Sequence, residues 1–545
     1  MLPIHHIAAA LVFAGSLTTD LLAANAPQVK VTGGLISGTS VVQDGQPIHV
    51  FKGVPFAAPP VGDLRWRPPQ PVIGWQGVRP CVEYAPACPQ PADGIYSFAY
   101  RQQSEDCLCL NVWTESLDAS AKRPVMVWIH GGGNLIGGAG NPAYDGRHFA
   151  KAGVVLVSIQ YRLGAFGYLA HPALTEEAQR LDGRAASGNY GLMDQLAALK
   201  WVQENIARFG GDPQRVTIFG ESAGAANVTH LMASPLAKGL FHRAIAESGY
   251  FGEHTPHLKE SSGIRSAGEE NGQKFAERLD VTETDAAGLA ALRKLPAEKI
   301  LSIPMTIGGL SLGKNAFQFG PVVDGYVHAE EPHDVWAAGK MHPVPLIAGS
   351  NLDDGSVFSA GNPIRRLPGF RLVLRTMFGP DAARAEEIFP AKSDADVSAA
   401  AHQFITIMSF RAPARRLVRW EEAAGNEAWL YHFSRNPGTG RAERSGVFHG
   451  LEIIYVFGNA PVGTKDVDRQ LSADMRQRWV NFAASGDPNG KPGDPVCRTV
   501  TPEWPAYRKA TDEHLEFGDR VSVGRKLDAD ACDLVDRAAE RRGRK

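Results

Sequence analysis

The chain alternates two kinds of apolar patterning. Short β-branched runs stop abruptly at glycine or polar turns. Val125–Ile129 stops at His130-Gly131-Gly132-Gly133, Val154–Ile159 at Gln160-Tyr161-Arg162, Val216–Phe219 at Gly220-Glu221-Ser222-Ala223-Gly224, and Val344–Ala348 at Gly349-Ser350-Asn351. Runs that are apolar at every position fit strands covered on both faces, as in a parallel sheet. Between two of them, Leu192, Leu196, Leu199, Val202 and Ile206 recur at helical spacing. Gly210-Gly211-Asp212-Pro213 then supplies a cap and a breaker. A second helix is expected over Ala223–Met232. This alternation predicts an α/β fold on a doubly wound, mostly parallel sheet. Residues 28–60 read instead as an antiparallel hairpin region ahead of the parallel core. Residues 251–320 and 359–425 are polar, helical in flavour and less regular, and read as insertions that cap the sheet rather than separate domains. The tail, Arg537 to Lys545, is charged and expected to fray.

The chain has 545 residues, 44% hydrophobic and 21% charged, with 56 Lys and Arg against 58 Asp and Glu. That balance excludes a disordered chain, a collagen-like fibre and a coiled coil. A net charge of −2 gives no global basic field for nucleic acid. At the N-terminus, Ile7–Leu17 is an apolar run too short to cross a bilayer, and it is followed by the small residues Ala23, Ala24 and Ala26. Residues 1–26 are therefore read as a signal peptide, although its first residues lack Lys or Arg. Residues 27–545 are read as one domain, secreted or periplasmic. No later stretch offers 18 uninterrupted apolar residues, so no membrane span is expected. Six cysteines permit up to three disulfides, and none is spaced as CxxC, which weighs against a metal site. Cys107 and Cys109 are expected on one strand, pointing to one face.

Gly220-Glu221-Ser222-Ala223-Gly224 has the form G-x-S-x-G between a strand and a helix. Glycines there allow a sharp turn that pushes the Ser222 hydroxyl out of the backbone. His130-Gly131-Gly132-Gly133 closes an earlier strand. Backbone N–H groups free of side chains can reach the negative oxygen that acyl transfer creates. A phosphate-cradling loop would need a GKS/GKT ending or GxGxxG, and neither follows. A serine hydroxyl needs a base, and the base needs an acid to orient it. In this fold class the order is serine, acid, histidine. His449 lies late, in a glycine-flanked segment suited to a loop. Asn351-Leu352-Asp353-Asp354-Gly355 follows a strand and supplies two candidate acids.

The chain resembles the type-B carboxylesterase (carboxylesterase/cholinesterase) family of α/β hydrolases. The resemblance rests on Phe51–Pro60, Leu64–Trp66, Ser104–Trp113, His130–Gly133, Gly188–Gln195, Phe209–Pro213, Gly220–Ala225, Phe448–Glu452, Tyr455–Gly458 and Trp504–Tyr507, which span nearly all of the chain. It implies an α/β-hydrolase fold with helical cap insertions and hydrolysis of small carboxylic esters through an acyl-enzyme. Ser222 matches the nucleophile and His449 the base. Gly132, Gly133 and Ala223 match the oxyanion donors, and Asp354 matches the acid, where the family usually has Glu. Asp353 is its local competitor. Cys88 and Cys107 match a family disulfide, and closing that loop is worth roughly 3 kcal/mol in the chain-entropy model. Cys497 with Cys532 and Cys81 with Cys109 are leftover pairings.

Departures from the family pattern shape the substrate expectations. Asn134 stands where an aromatic residue is usual, and is expected to contact a hydroxyl or carboxylate on the substrate. The disulfide loop holds Tyr96, Phe98 and Tyr100 but no tryptophan, which weighs against choline esters. Arg365 and Arg366 are candidate binders of a carboxylate-bearing ester. No metal or other cofactor is expected. Rival readings are a lipase, thioesterase, amidase or transacylase on the same residues, and a non-catalytic adhesion module.

Overall fold

The computed structural model describes residues 26–91, 102–249, 254–262, 265–307, 316–359, 364–459 and 465–543. The signal-peptide expectation, apart from residue 26, lies outside the described residues, as do Tyr96, Phe98 and Tyr100. Strands β1 (Gln28–Val31), β2 (Gly34–Ser37) and β5 (Val78–Pro80) form a small sheet. The large sheet is built from β3 (Thr39–Gln43), β4 (Gln46–Pro55), β6 (Cys109–Thr114), β7 (Arg123–Ile129), β8 (Val155–Ile159), β9 (Gly211–Glu221), β10 (Arg243–Glu247), β11 (Leu346–Asn351), β12 (Ala428–Phe433), β13 (Glu513–Phe517) and β14 (Val521–Arg525). Its order is β14-β13-β12-β11-β10-β9-β7-β8-β6-β4-β3. Pairing is parallel from β8 through β13 and antiparallel toward both edges. The expected hairpin region resolves into two antiparallel hairpins in different sheets, β1–β2 and β3–β4.

The apolar runs became strands because both faces of the sheet are covered. Strands β6, β8, β11 and β12 are buried at every position. Along β7, Val125, Val127 and Ile129 join one core while Met126 and Trp128 join the other, the period of two that a pleated strand imposes. Helices α1 (Tyr190–Asn205) and α2 (Ala223–Ala233) give Leu199, Val202 and Val228 to the first core. Past α1 a short 3-10 turn ends at Gly210, whose φ of 75° makes the cap. The first insertion contributes α3 (Gly268–Glu277) and α4 (Ala286–Lys294), packed around Phe275, Leu289 and Leu292. The second contributes α5 (Leu367–Phe378), α6 (Val397–Thr406) and α7 (Ala412–Ala423), with a π-helical turn at Ile407–Arg411. Helix α8 (Asp466–Ser485) covers the second core with Met475, Trp479 and Phe482.

As far as Gly543 the charged tail does not fray. It forms α9 (Ala529–Gly543). Leu534, Val535 and Ala538 are buried against Phe370, Phe378 and Ala385. Asp533 meets Arg415 at 2.6 Å and Asp536 meets Arg416 at 2.7 Å. Composition alone hid an amphipathic helix whose acids pair with arginines on α7.

Cys88 and Cys107 are disulfide-bonded, and β6 begins two residues after Cys107. Cys81, Cys109, Cys497 and Cys532 are free thiols, so both leftover pairings fail. Cys532 lies on α9 and is part of the core that helix shares with α5, whereas Cys497 packs on the core under α8. Burial pushes Cys81 up to about 11 and Cys109 up to about 12, which leaves both protonated and inert. Among the described residues no helix is long and apolar enough to cross a membrane.

Candidate active site

Strand β9 ends at Glu221 and α2 begins at Ala223, so Ser222 alone makes the turn. It does so at φ 58° and ψ −123°, a region that costs a non-glycine residue about 1–3 kcal/mol. Its N–H donates to Glu247 O at 2.9 Å, and Ala226 N–H donates to Ser222 O at 2.9 Å. The glycines permit the close pass. A Cβ on Gly220 would lie 2.5 Å from Ile129 O, and one on Gly224 would lie 2.0 Å from the same atom. The end of β7 therefore packs directly on this elbow.

The loop leaving β7 runs through Gly132 at φ 105° and Gly133 at φ 66°. A Cβ on Gly132 would meet Ile136 O at 2.1 Å, and one on Gly133 would meet Ile307 Cγ2 at 2.5 Å. Only glycine fits at either place. The first turn of α2 leaves the Ala223 N–H without an intrahelical acceptor. His130 ahead of the loop is fully buried and stacks on Tyr161, with ring centroids 4.5 Å apart. Tyr161 Oη donates to His130 O at 2.7 Å. Burial pushes the imidazole down to about 4, so His130 is neutral at ordinary pH.

Of the two candidate acids, Asp354 is the one that meets His449. Its Oδ1 lies 2.9 Å from His449 Nδ1. Its Oδ2 accepts from Ser248 Oγ at 3.0 Å and from Asn351 N at 2.6 Å. Asp353 fastens the histidine loop instead, accepting from Val447 N at 2.8 Å. The ring of His449 packs against both Phe410 and Phe358, with centroids 4.6 Å and 5.1 Å away, and those two rings stack on each other at 5.6 Å. Its Nε2 lies 3.1 Å from Glu221 Oε1, but outside hydrogen-bonding geometry, and has no hydrogen-bond partner. The unengaged nitrogen is thus held at the elbow, beside the residue that precedes Ser222. Among the described residues no hydrogen bond joins Nε2 to Ser222 Oγ, and such bonds are commonly long without substrate.

Four carboxylates converge behind the site: Glu221, Glu247, Asp354 and Glu452, all buried. Glu452 takes the Asn351 carboxamide N–H and lies 3.5 Å from Ser248 Oγ. Desolvation, and then mutual repulsion, pushes Glu221 and Glu452 well above the usual carboxylate range. Glu247 accepts from Trp479 Nε1 at 2.7 Å, and burial pushes it up to about 8. Sequence reasoning gave no role to Glu247, Ser248, Phe358, Phe410 or Glu452. An acid at the end of each of two adjacent strands was the available signal.

The Asn134 carboxamide is buried and engaged inside the protein, with Asn227 and Tyr168. Arg365 and Arg366 are exposed just ahead of α5, and neighbouring residues 362 and 363 lie outside the described residues. Among the described residues no group of three His, Cys, Asp or Glu side chains is placed to hold a metal ion.

A sequence model of the Carboxylesterase family matches residues 25–535. The chain is 36% identical over 492 residues to Fumonisin B1 esterase of Sphingopyxis macrogoltabida, covering 88% of this chain and 85% of that one. It is 34% identical over 507 residues to Para-nitrobenzyl esterase of Bacillus subtilis (strain 168), covering 90% and 94%. A solved structure of a PNB esterase superposes with a TM-score of 0.77 at 32% identity, covering 94% of this chain and 100% of that one.

Proposed function

Given that this chain belongs to the carboxylesterase family and hydrolyses carboxylic esters, we propose that Ser222, His449 and Asp354 carry out that reaction. Ser222 Oγ attacks the ester carbonyl while His449 Nε2 takes its proton. Asp354 holds Nδ1, fixing the tautomer and stabilising the imidazolium. The N–H groups of Gly132, Gly133 and Ala223 receive the oxyanion. The tetrahedral intermediate expels the alcohol, which takes the proton from His449. Water activated by the same nitrogen then releases the acid from Ser222. One observation carries the reading: the 2.9 Å contact of Asp354 with Nδ1, which leaves Nε2 unengaged at the elbow.

Ser222→Ala should fold normally and lose nearly all turnover of p-nitrophenyl acetate and all labelling by a fluorophosphonate. Turnover at the wild-type rate refutes the assignment. Arg365 and Arg366 are the proposed contacts for esters that carry a free carboxylate. Fumonisin B1 and p-nitrobenzyl esters, from the names of its relatives, belong in the first substrate screen. We read residues 1–26 as an export signal and residues 27–545 as one secreted or periplasmic domain. The Cys88–Cys107 bond supports that compartment, since structural disulfides persist where the surroundings are oxidising.

A further inference from the structure

We propose that Asn134 and Asn227 form a clasp that holds the two halves of the oxyanion hole in register, with Asn134 a positioning residue for the reaction. The inference rests on the reading of Ser222 as nucleophile and of Gly132, Gly133 and Ala223 as donors. Those donors come from two separate elements, the loop after β7 and the first turn of α2. They stabilise an oxyanion only while all aim at one point about 3 Å away.

The loop needs outside support. Gly132, Gly133 and Asn134 have consecutive φ values of 105°, 66° and 55°. Asparagine tolerates the left-handed region better than most residues, but it does not favour a run of it. Four hydrogen bonds fix Asn134 there. Its carbonyl accepts from Gly164 N at 2.7 Å. Its Oδ1 accepts from Asn227 Nδ2 at 2.8 Å and from Tyr168 Oη at 3.3 Å. Its Nδ2 donates back to Asn227 Oδ1 at 3.3 Å. Asn227 follows Ala223 by four residues on α2, so the two share one helix face. The reciprocal amide pair therefore ties the Gly132–Gly133 loop to the helix turn that carries the third donor. Asn134, Asn227 and Tyr168 are all buried, so water does not compete for these bonds.

Asn134→Gly removes the side chain while keeping the backbone angle, and Asn227→Ala breaks the clasp from the other side. The measurements are kcat and KM for p-nitrophenyl acetate, per site titrated with fluorophosphonate, and Ki for a trifluoromethyl ketone that mimics the tetrahedral intermediate. Each variant should lose about 10- to 100-fold in kcat, raise Ki in step, and leave KM within about threefold. The double variant should be no worse than the poorer single one, since both break the same pair. If Asn134→Gly does not fold, Asn227→Ala carries the test alone. Wild-type kcat and Ki per titrated site, with only a lower Tm, overturn the proposal. So does a raised KM at unchanged kcat, which makes Asn134 a substrate contact. Failure of the nucleophile assignment would appear separately, as undiminished turnover by Ser222→Ala.

Discussion

Replacing Glu247 by Gln removes one titrating group from the buried acid cluster. Burial raises the Glu247 carboxyl from its ordinary 4.5 to about 8 in the folded protein. Between those values the folded protein keeps a proton that the unfolded chain has released. A raised folded value makes stability fall as pH rises, by about 1.4 kcal/mol per pH unit, until the curve levels above pH 8. From pH 6.5 to pH 8 this amounts to about 2 kcal/mol. Gln keeps an acceptor for Trp479 Nε1 and removes the proton. The alkaline limb should therefore be shallower by about 2 kcal/mol, near 2 °C in Tm for a chain of this length at about 2.1 cal/mol/K per residue. Glu221, Glu421 and Glu452, shifted the same way, still contribute to the slope. On the acid side the sign reverses. Burial pushes His130, His171 and His230 down to about 4 from 6.5, so the unfolded chain binds protons that the folded one refuses. That stability is lost as pH falls below 6.5. Thermal unfolding of both proteins from about pH 5 to pH 9, at fixed ionic strength, is the assay. Wild type should peak near pH 6.5. Curves that stay parallel above that point refute the reasoning, because a constant offset reports only altered packing.

Asp354→Asn should lower kcat on p-nitrophenyl acetate by about 10⁴-fold through loss of the imidazole tautomer. Asp353→Asn should keep kcat within about threefold. Cys88→Ser should cost roughly 3 kcal/mol in denaturant unfolding under oxidising conditions, and that difference should vanish when both proteins are fully reduced. Leu534→Ala, at a fully buried position of α9, should cost about 2–5 kcal/mol. A loss below 0.5 kcal/mol would mean that the C-terminal helix is not part of the folded core.

The elbow was legible because its requirements are local. A strand, a turn too tight for side chains at Gly220 and Gly224, and a helix follow one another directly within Gly211–Ala233. The glycine loop after β7 was legible for the same reason. The β11 strand came two residues later than its apolar run, since Pro345 has no N–H to give a ladder. His449 was not selectable by spacing among 17 histidines; the resemblance singled it out, and its contact with Asp354 spans 95 residues. The partners of Asn134 were hidden for a different reason. Its position along the chain was plain, but the left-handed backbone at φ 55° directs its side chain toward Asn227 rather than outward. Side-chain direction depends on a dihedral that composition does not encode.

The acid cluster follows from a rule that the sequence does carry, once strand order is known. In a parallel sheet all carboxyl ends lie on one edge, and a shared register places strand-end residues side by side. Glu221 ends β9 and Glu247 ends β10, and the two are paired directly across the ladder. On the far side β11 pairs Gly349 with Glu247 and runs on to Asn351, three residues before Asp354. Three acids separated by up to 133 residues thus meet because their strands are neighbours in the order β9-β10-β11. Strand order arises from packing across the whole core rather than from any one segment, so no acid read alone shows that it meets the others. Desolvation first, and then repulsion among like charges in that buried corner, keeps protons on Glu221 and Glu452, and the same convergence delivers Asp354 to the histidine.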